Sequence, residues 1–218
     1  MLALFDSGRG GLNTVAYLNE SNDGSDLIYL IDGNNAPYGI RTENEIIGIT
    51  SENIRRLQYM GAERVLIACC TASTVHRLLP KEYRSVSIPI IDAIAKEAKT
   101  VTRTGRIGVI ATERTVSSGA FQRALKGYSV DALPLSELVP LIDGGLSDTT
   151  VTEPDTDMLS GMLKPILKGN IDTLILGCTH FPAVKETIRK ITSSYGDIRL
   201  IDSARVGADT LRKYKYGK

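Results

Sequence analysis

Two cysteines sit in closely matched settings. Cys69 follows Val65-Leu66-Ile67-Ala68, and Cys178 follows Thr173-Leu174-Ile175-Leu176-Gly177. Each closes an apolar, strand-like run, and each has a threonine one or two positions on, Thr71 or Thr179, and then a helical pattern. A thiol between a strand end and a helix start can become a thiolate at neutral pH, because the partial positive charge there favours the anion. Two such thiols, one in each half of the chain, point to chemistry applied to a substrate from both sides. Three chemistries fit these residue types. One is a disulfide redox pair. Another is a zinc site using Cys69, Cys178 and His180, with the second histidine, His76, on a helix. The third is an acid–base pair, in which one thiolate removes a proton and the opposed thiol returns one. That pair needs no cofactor if dipoles in a closed, dry site stabilise the carbanion. The plainer alternative is a pair of core thiols acting as small hydrophobes. Their place just past the strands, flanked by threonine, weighs against it.

Other residues fall at similar points. Phe5-Asp6-Ser7-Gly8-Arg9-Gly10-Gly11 reads as a tight strand-to-helix turn. The third glycine of a dinucleotide fingerprint is missing, which weakens a nucleotide reading. Asp6 can pair with a substrate ammonium or orient a catalytic group, and the amides after it can hold a carboxylate. Asn34-Asn35-Ala36-Pro37-Tyr38-Gly39 is a polar loop, either only a turn or a ligand-contacting lid with Tyr38 as hydrogen-bond donor. Thr112, Thr115, Ser117 and Ser118 either cap the next helix or, mirroring Asp6-Ser7, donate to a carboxylate. His180 can relay protons between Cys178 and a nearby acid. Cys70 is expected in the pocket wall, because neighbouring side chains diverge.

The elements that must position these residues follow from periodicity. Short apolar runs at 2–5, 27–31, 64–68, 88–91, 106–111, 129–134, 172–177 and 198–201 read as strands. Helical patterns lie near 11–20, 42–60, 72–80, 93–102, 115–126, 136–145, 153–168, 181–194 and 203–214. Thr42-Glu43-Asn44-Glu45 forms a capping box and Gly61 a stop for the second helix. Pro165 is expected to kink or split the helix at 153–168. The alternation predicts an α/β protein with mainly parallel sheets, whose ligands sit at the carboxyl ends of the strands. Cys69 and Cys178 stand 109 positions apart, and Asp6 and Thr112 stand 106 apart. These similar offsets suggest two pseudo-symmetric, three-layer halves with the site in the cleft between them. The expected division is 1–91 plus 202–218 for the first domain and 92–201 for the second.

Bulk composition narrows the class. A chain of 218 residues holds one large or two small cores, and a net charge of +1 gives no basic excess for nucleic acid. Three cysteines, two of them adjacent, do not make a disulfide framework and fit a reduced, cytoplasmic setting. Met1-Leu2-Ala3-Leu4-Phe5 meets Asp6 too early for a signal peptide, and no run reaches membrane-spanning length. The expected partner is a small molecule, with no nucleic acid and no membrane.

Taken together, Phe5-Asp6-Ser7-Gly8-x-Gly10-Gly11, Asp32 with Pro37-Tyr38-Gly39, Ala68-Cys69-x-Thr71-Ala72-Ser73 and Leu176-Gly177-Cys178-Thr179-His180-Phe181-Pro182 resemble glutamate racemases. These are cofactor-independent enzymes of the aspartate/glutamate racemase group. The matches run in order from residue 5 to about 203. The resemblance implies two α/β domains and interconversion of L- and D-glutamate, supplying D-glutamate for the bacterial cell wall. It implies that Cys69 deprotonates the D-enantiomer and Cys178 the L-enantiomer, assisted by Asp6 and His180 respectively. Ser7, Pro37, Tyr38, Gly39, Thr71 and Thr179 would line the pocket. It further implies no cofactor, no metal and a homodimer. The chain departs from the group in three respects: Cys70 replaces an asparagine that contacts substrate, Asp143 stands where a glutamate is usual, and the chain is shorter than typical members. Cys70 keeps two alternatives open, a racemase for another amino acid such as aspartate and a catalytically silent amino-acid-binding homologue.

Overall fold

A computed structural model describes residues 1–20 and 27–217. These residues form eight strands, β1 (Leu2–Asp6), β2 (Leu27–Ile31), β3 (Arg64–Ile67), β4 (Ser87–Pro89), β5 (Arg106–Ala111), β6 (Ser129–Pro134), β7 (Thr173–Gly177) and β8 (Arg199–Asp202). The helices are α1 (Leu12–Asn19), α2 (Glu43–Tyr59), α3 (Cys70–Ser73), α4 (Lys81–Val86), α5 (Ile90–Val101), α6 (Glu113–Ser117), α7 (Ala120–Ala124), α8 (Leu138–Asp143), α9 (Glu153–Leu167), α10 (Lys185–Ser193) and α11 (Ser203–Tyr216). The strands build two four-stranded parallel sheets with the same connectivity, β2-β1-β3-β4 and β6-β5-β7-β8. The repeat suggested by the cysteine spacing is therefore a repeat of topology.

Period-two alternation sets which layer each strand residue meets. In the first sheet, Leu4 and Leu66 face a middle layer of helices. Ala3, Phe5, Val65 and Ile67 face outward onto Ile46, Ile54 and Leu57 of α2. In the second sheet, Ile107, Val109 and Ile175 face the same middle layer. Ile110, Leu174 and Leu176 face Leu159 and Leu163 of α9 and Ile188 of α10. The middle layer holds Leu18 of α1, Ile90, Ile94 and Ala98 of α5, Phe121 of α7, and Val206 and Leu211 of α11. Each sheet thus carries helices on both faces, and the central helices are common to both. The expected boundary at 91/92 falls in the first turn of α5, and the return crossing at 201/202 falls at the end of β8. Residues 21–26 and 218 of that division lie outside the described residues.

Several elements differ from expectation. The run at 72–80 is a single turn, α3, followed by a 3-10 turn at His76–Leu78, because Pro80 cannot continue a helix. The run at 115–126 is two short helices broken at Gly119, whose φ of 65° is left-handed. The expected strand 88–91 ends at Pro89, and α5 starts at once instead of at 93. Pro165 does not split α9. It lies in the last turn, and the carbonyl it cannot partner belongs to Gly161, which is solvent-exposed. The Thr42–Glu45 capping box forms as expected. Among the described residues, no helix is long and apolar enough to cross a membrane.

Candidate active site

Strand register brings the predicted residues together. Phe5 of β1 pairs with Ile67 of β3, so Asp6, Ser7 and Cys69 emerge side by side at the carboxyl edge of the first sheet. Ala111 of β5 pairs with Gly177 of β7, so Thr112 and Cys178 emerge together from the second. The two edges enclose a cavity of about 680 Å³. The predicted site residues line it except Asp6 and Thr115, which lie buried behind its wall, and Ser117 and Ser118, whose hydroxyls turn back onto the Arg114 and Thr115 carbonyls. Glu113, Ser136 and Asp143 line it as well. Asp143 was anticipated only through the resemblance, and the other two were missed because neither stands in a recognisable motif.

The two thiols are held differently. Cys69 precedes α3, where its sulfur accepts from Ala72 N–H at 3.5 Å and lies 3.2 Å from Ser7 Oγ. These contacts favour a thiolate, yet burial dominates, and with the nearby Asp6 carboxyl it pushes the Cys69 thiol up to about 11. Burial likewise pushes Cys178 and Cys70 well above the usual thiol range. Against the expected ease of ionisation, desolvation outweighs the single amide that α3 offers Cys69 and favours the thiol. All three cysteines are free. Cys70 turns away from Cys69 into the middle layer while also contributing to the cavity wall. Among the described residues, no three His, Cys, Asp or Glu side chains gather as a metal-ligand set.

Around Cys178, His180 Nδ1 lies 3.7 Å from the sulfur. Its Nε2 lies 3.2 Å from Asp143 Oδ1, within ion-pair distance but off the line of a hydrogen bond. A relay from an exposed acid through imidazole to a buried thiol is therefore laid out in space. Asp6 hydrogen-bonds to neither thiol. Its Oδ2 accepts from Gly11 N–H at 2.7 Å and from the Thr179 hydroxyl at 3.0 Å, while Oδ1 is buried without a partner. Burial raises its pKa, and His180 and the two donors oppose that rise.

Two polar networks brace the walls. Tyr38 donates to Asp32 at 2.6 Å, and Asn53 of α2 donates to both Asp32 and Tyr38. Asp32 stays below the usual carboxylate range because these donors, with Asn35, outweigh its burial. The Tyr38 hydroxyl is thus engaged behind the wall, and the ring is what faces the cavity. Across the cleft, the hydroxyls of Thr71, Thr112 and Thr115 form a triangle with sides of 2.9 to 3.1 Å. Thr112 also caps α6, as the capping reading expects. Asn53 and the joining of Thr71 to Thr112 and Thr115 had no sequence signal, since those partners lie 15 to 44 positions away.

Two parallel α/β lobes thus set Cys69 and Cys178 on the lining of one shared cleft. The chain belongs to the Asp/Glu/Hydantoin racemase family, whose model matches residues 13–211. It is 35% identical to a glutamate racemase of Aquifex aeolicus over 98% of this chain and 82% of that protein. A crystal structure of a glutamate racemase from Bacillus anthracis superposes with a TM-score of 0.87 at 30% identity, covering 98% of this chain and 80% of that one. The glutamate racemase of Francisella tularensis, solved in complex with D-glutamate, gives a TM-score of 0.85 at 27% identity, covering 99% of this chain and 81% of that one.

Proposed function

We propose that the chain is a cofactor-independent glutamate racemase that interconverts L- and D-glutamate with two cysteines. The observation that carries this reading is that Cys69 and Cys178 end equivalent strands of two like-ordered sheets and line one cavity. The D-glutamate complex of the Francisella tularensis relative, similar over nearly the whole chain, supports the substrate.

Starting from D-glutamate, the Cys69 thiolate takes the α-proton, and the electron pair is left on the α-carbon. The Cys178 thiol then delivers its proton to the opposite face, giving L-glutamate, a Cys69 thiol and a Cys178 thiolate. The reverse reaction exchanges the roles, so the free enzyme must return its proton between the two sulfurs through solvent. A buried thiol resists ionisation, and the ammonium of the entering amino acid supplies the positive charge that favours the thiolate. The Ser7 hydroxyl holds the Cys69 sulfur in its charged form, and His180, steadied by Asp143, does so for Cys178. Thr71 and Thr112 offer hydroxyl donors to the substrate carboxylates, and Thr179, Pro37, Gly39 and the Tyr38 ring shape the wall. Asp6 acts from behind the wall through Thr179 and the turn at Gly11.

On this reading the lobes are 1–91 with 202–218 and 92–201, and the enzyme supplies D-glutamate for peptidoglycan in the cytoplasm. Self-association as a homodimer follows from the resemblance and is read by sedimentation. L-Glutamate incubated with the protein in D2O is expected to gain deuterium at the α-carbon while D-glutamate accumulates. Absence of both would refute the assignment, and the same assay across other L-amino acids, aspartate included, tests the alternative that Cys70 keeps open.

A further inference from the structure

The two cysteine loops are anchored asymmetrically. Cys69 itself is held from within its own lobe, by Ser7, by Ala72 N–H, and by Ser73 N–H donating to the Cys69 carbonyl at 2.9 Å, and the opposite lobe reaches this loop two residues on, where Thr112 and Thr115 meet the Thr71 hydroxyl. The Cys178 carbonyl accepts from Phe181 N–H at 3.1 Å within its own turn, and the peptide after it is held from the opposite side of the cleft. Asn13 Nδ2 donates to the Thr179 carbonyl at 2.8 Å, and Asp6 accepts from the Thr179 hydroxyl. Ser203 Oγ donates to the Cys178 carbonyl at 3.4 Å. Asn13 is 166 positions from Thr179 in sequence and lies on the first turn of α1. Four residues on, the same helix face carries Tyr17, whose hydroxyl donates to Asp202 at 2.8 Å and accepts from Lys185 at 2.7 Å. One face of α1 therefore grips the second lobe at two points, and only the Asn13 point touches the loop that carries a base.

We infer that Asn13 is a positioning residue for the Cys178 half of the reaction. Its amide fixes the peptide between Cys178 and His180, and with it the distance from the Cys178 sulfur to the substrate α-carbon. Cys69 does not depend on it. The inference rests on the two-base reading above, in which Cys178 removes the α-proton of L-glutamate.

Rate alone cannot reveal such a role. The enantiomers have equal free energy, so kcat/KM must stay equal in the two directions in any variant. Isotope effects separate the halves. L- and D-glutamate deuterated at the α-carbon are each racemised in ordinary water by the unaltered protein, by Asn13→Asp and by Asn13→Ala. Aspartate keeps the size but offers the carbonyl no donor, and alanine removes the contact altogether. Both variants are expected to lower kcat/KM by up to about 100-fold, the scale of an ångström's misplacement. The isotope effect should rise for L-glutamate, whose deuteron goes to Cys178, and shrink for D-glutamate, whose deuteron goes to Cys69. Tyr17→Phe, which loosens the same helix face without touching the loop, should lower the melting temperature and leave the ratio of the two isotope effects unchanged. A lowered rate with an unchanged ratio in both Asn13 variants, or no change at all, overturns the inference while the racemase reading stands. Failure of the unaltered protein to release the α-deuteron from either enantiomer overturns both.

Discussion

At the residue scale, the opposition is between what a base needs and what burial allows. Cys69 and Cys178 sit where water is excluded, which strengthens electrostatic stabilisation of a carbanion but disfavours the thiolate that must form it. The same conflict has a consequence for stability. Below pH 9.0, the ordinary thiol value, Cys69 is protonated in both folded and unfolded chains, and the fold's preference for the thiol contributes in full. As pH rises towards about 11, the unfolded chain ionises first and the contribution is lost. The melting temperature is therefore expected to fall between these values, and to fall less steeply in Cys69→Ala. Parallel curves for the two proteins would contradict the burial account.

At the element scale, the turn between β1 and α1 packs directly against the Cys178 loop. A side chain on Gly10 would press into Thr179 Oγ1, and its Cβ would stand 2.8 Å from His180 Nδ1 and from the Thr179 backbone. Gly10→Ala is expected to push the Cys178 loop outward, costing up to about 100-fold in kcat/KM together with a lower melting temperature. Full activity in that variant would show that the approach is dispensable. What the sequence conveyed and what it concealed divide along the same line. The cysteines were legible because strand runs and cap residues are local, and the α2 capping box was legible for the same reason. Asn13 with Thr179, Asn53 with Asp32, and the Thr71–Thr112–Thr115 triangle were not, because each forms only when distant segments meet. The pull of burial on the thiols was not legible, since helix-start chemistry is visible in sequence and the depth of burial is not. Pro165 was misjudged because its cost depends on whether the unpartnered carbonyl reaches water.

At the scale of the whole molecule, the two sheets share one middle layer. Ile94 of α5 is wholly buried in a cluster that joins Leu4 and Leu66 of the first sheet to Ile107 and Ile175 of the second. Both lobes should therefore unfold together. Ile94→Ala is expected to cost about 2–5 kcal/mol and to lower a single calorimetric transition without dividing it. Two separate transitions in the unaltered protein would contradict a shared core.

The claim that joins these scales is that one thiol serves each face of the substrate, and single-cysteine variants in D2O test it most directly. In Cys178→Ala, Cys69 remains, so D-glutamate should still exchange its α-proton for deuterium while inversion to L-glutamate falls by about 10²–10⁴-fold, the usual worth of a positioned acid or base. Cys69→Ala should show the mirror result, exchange of L-glutamate without inversion. Full racemisation by either variant, or exchange of both enantiomers at equal rates in each, would contradict the two-thiol account.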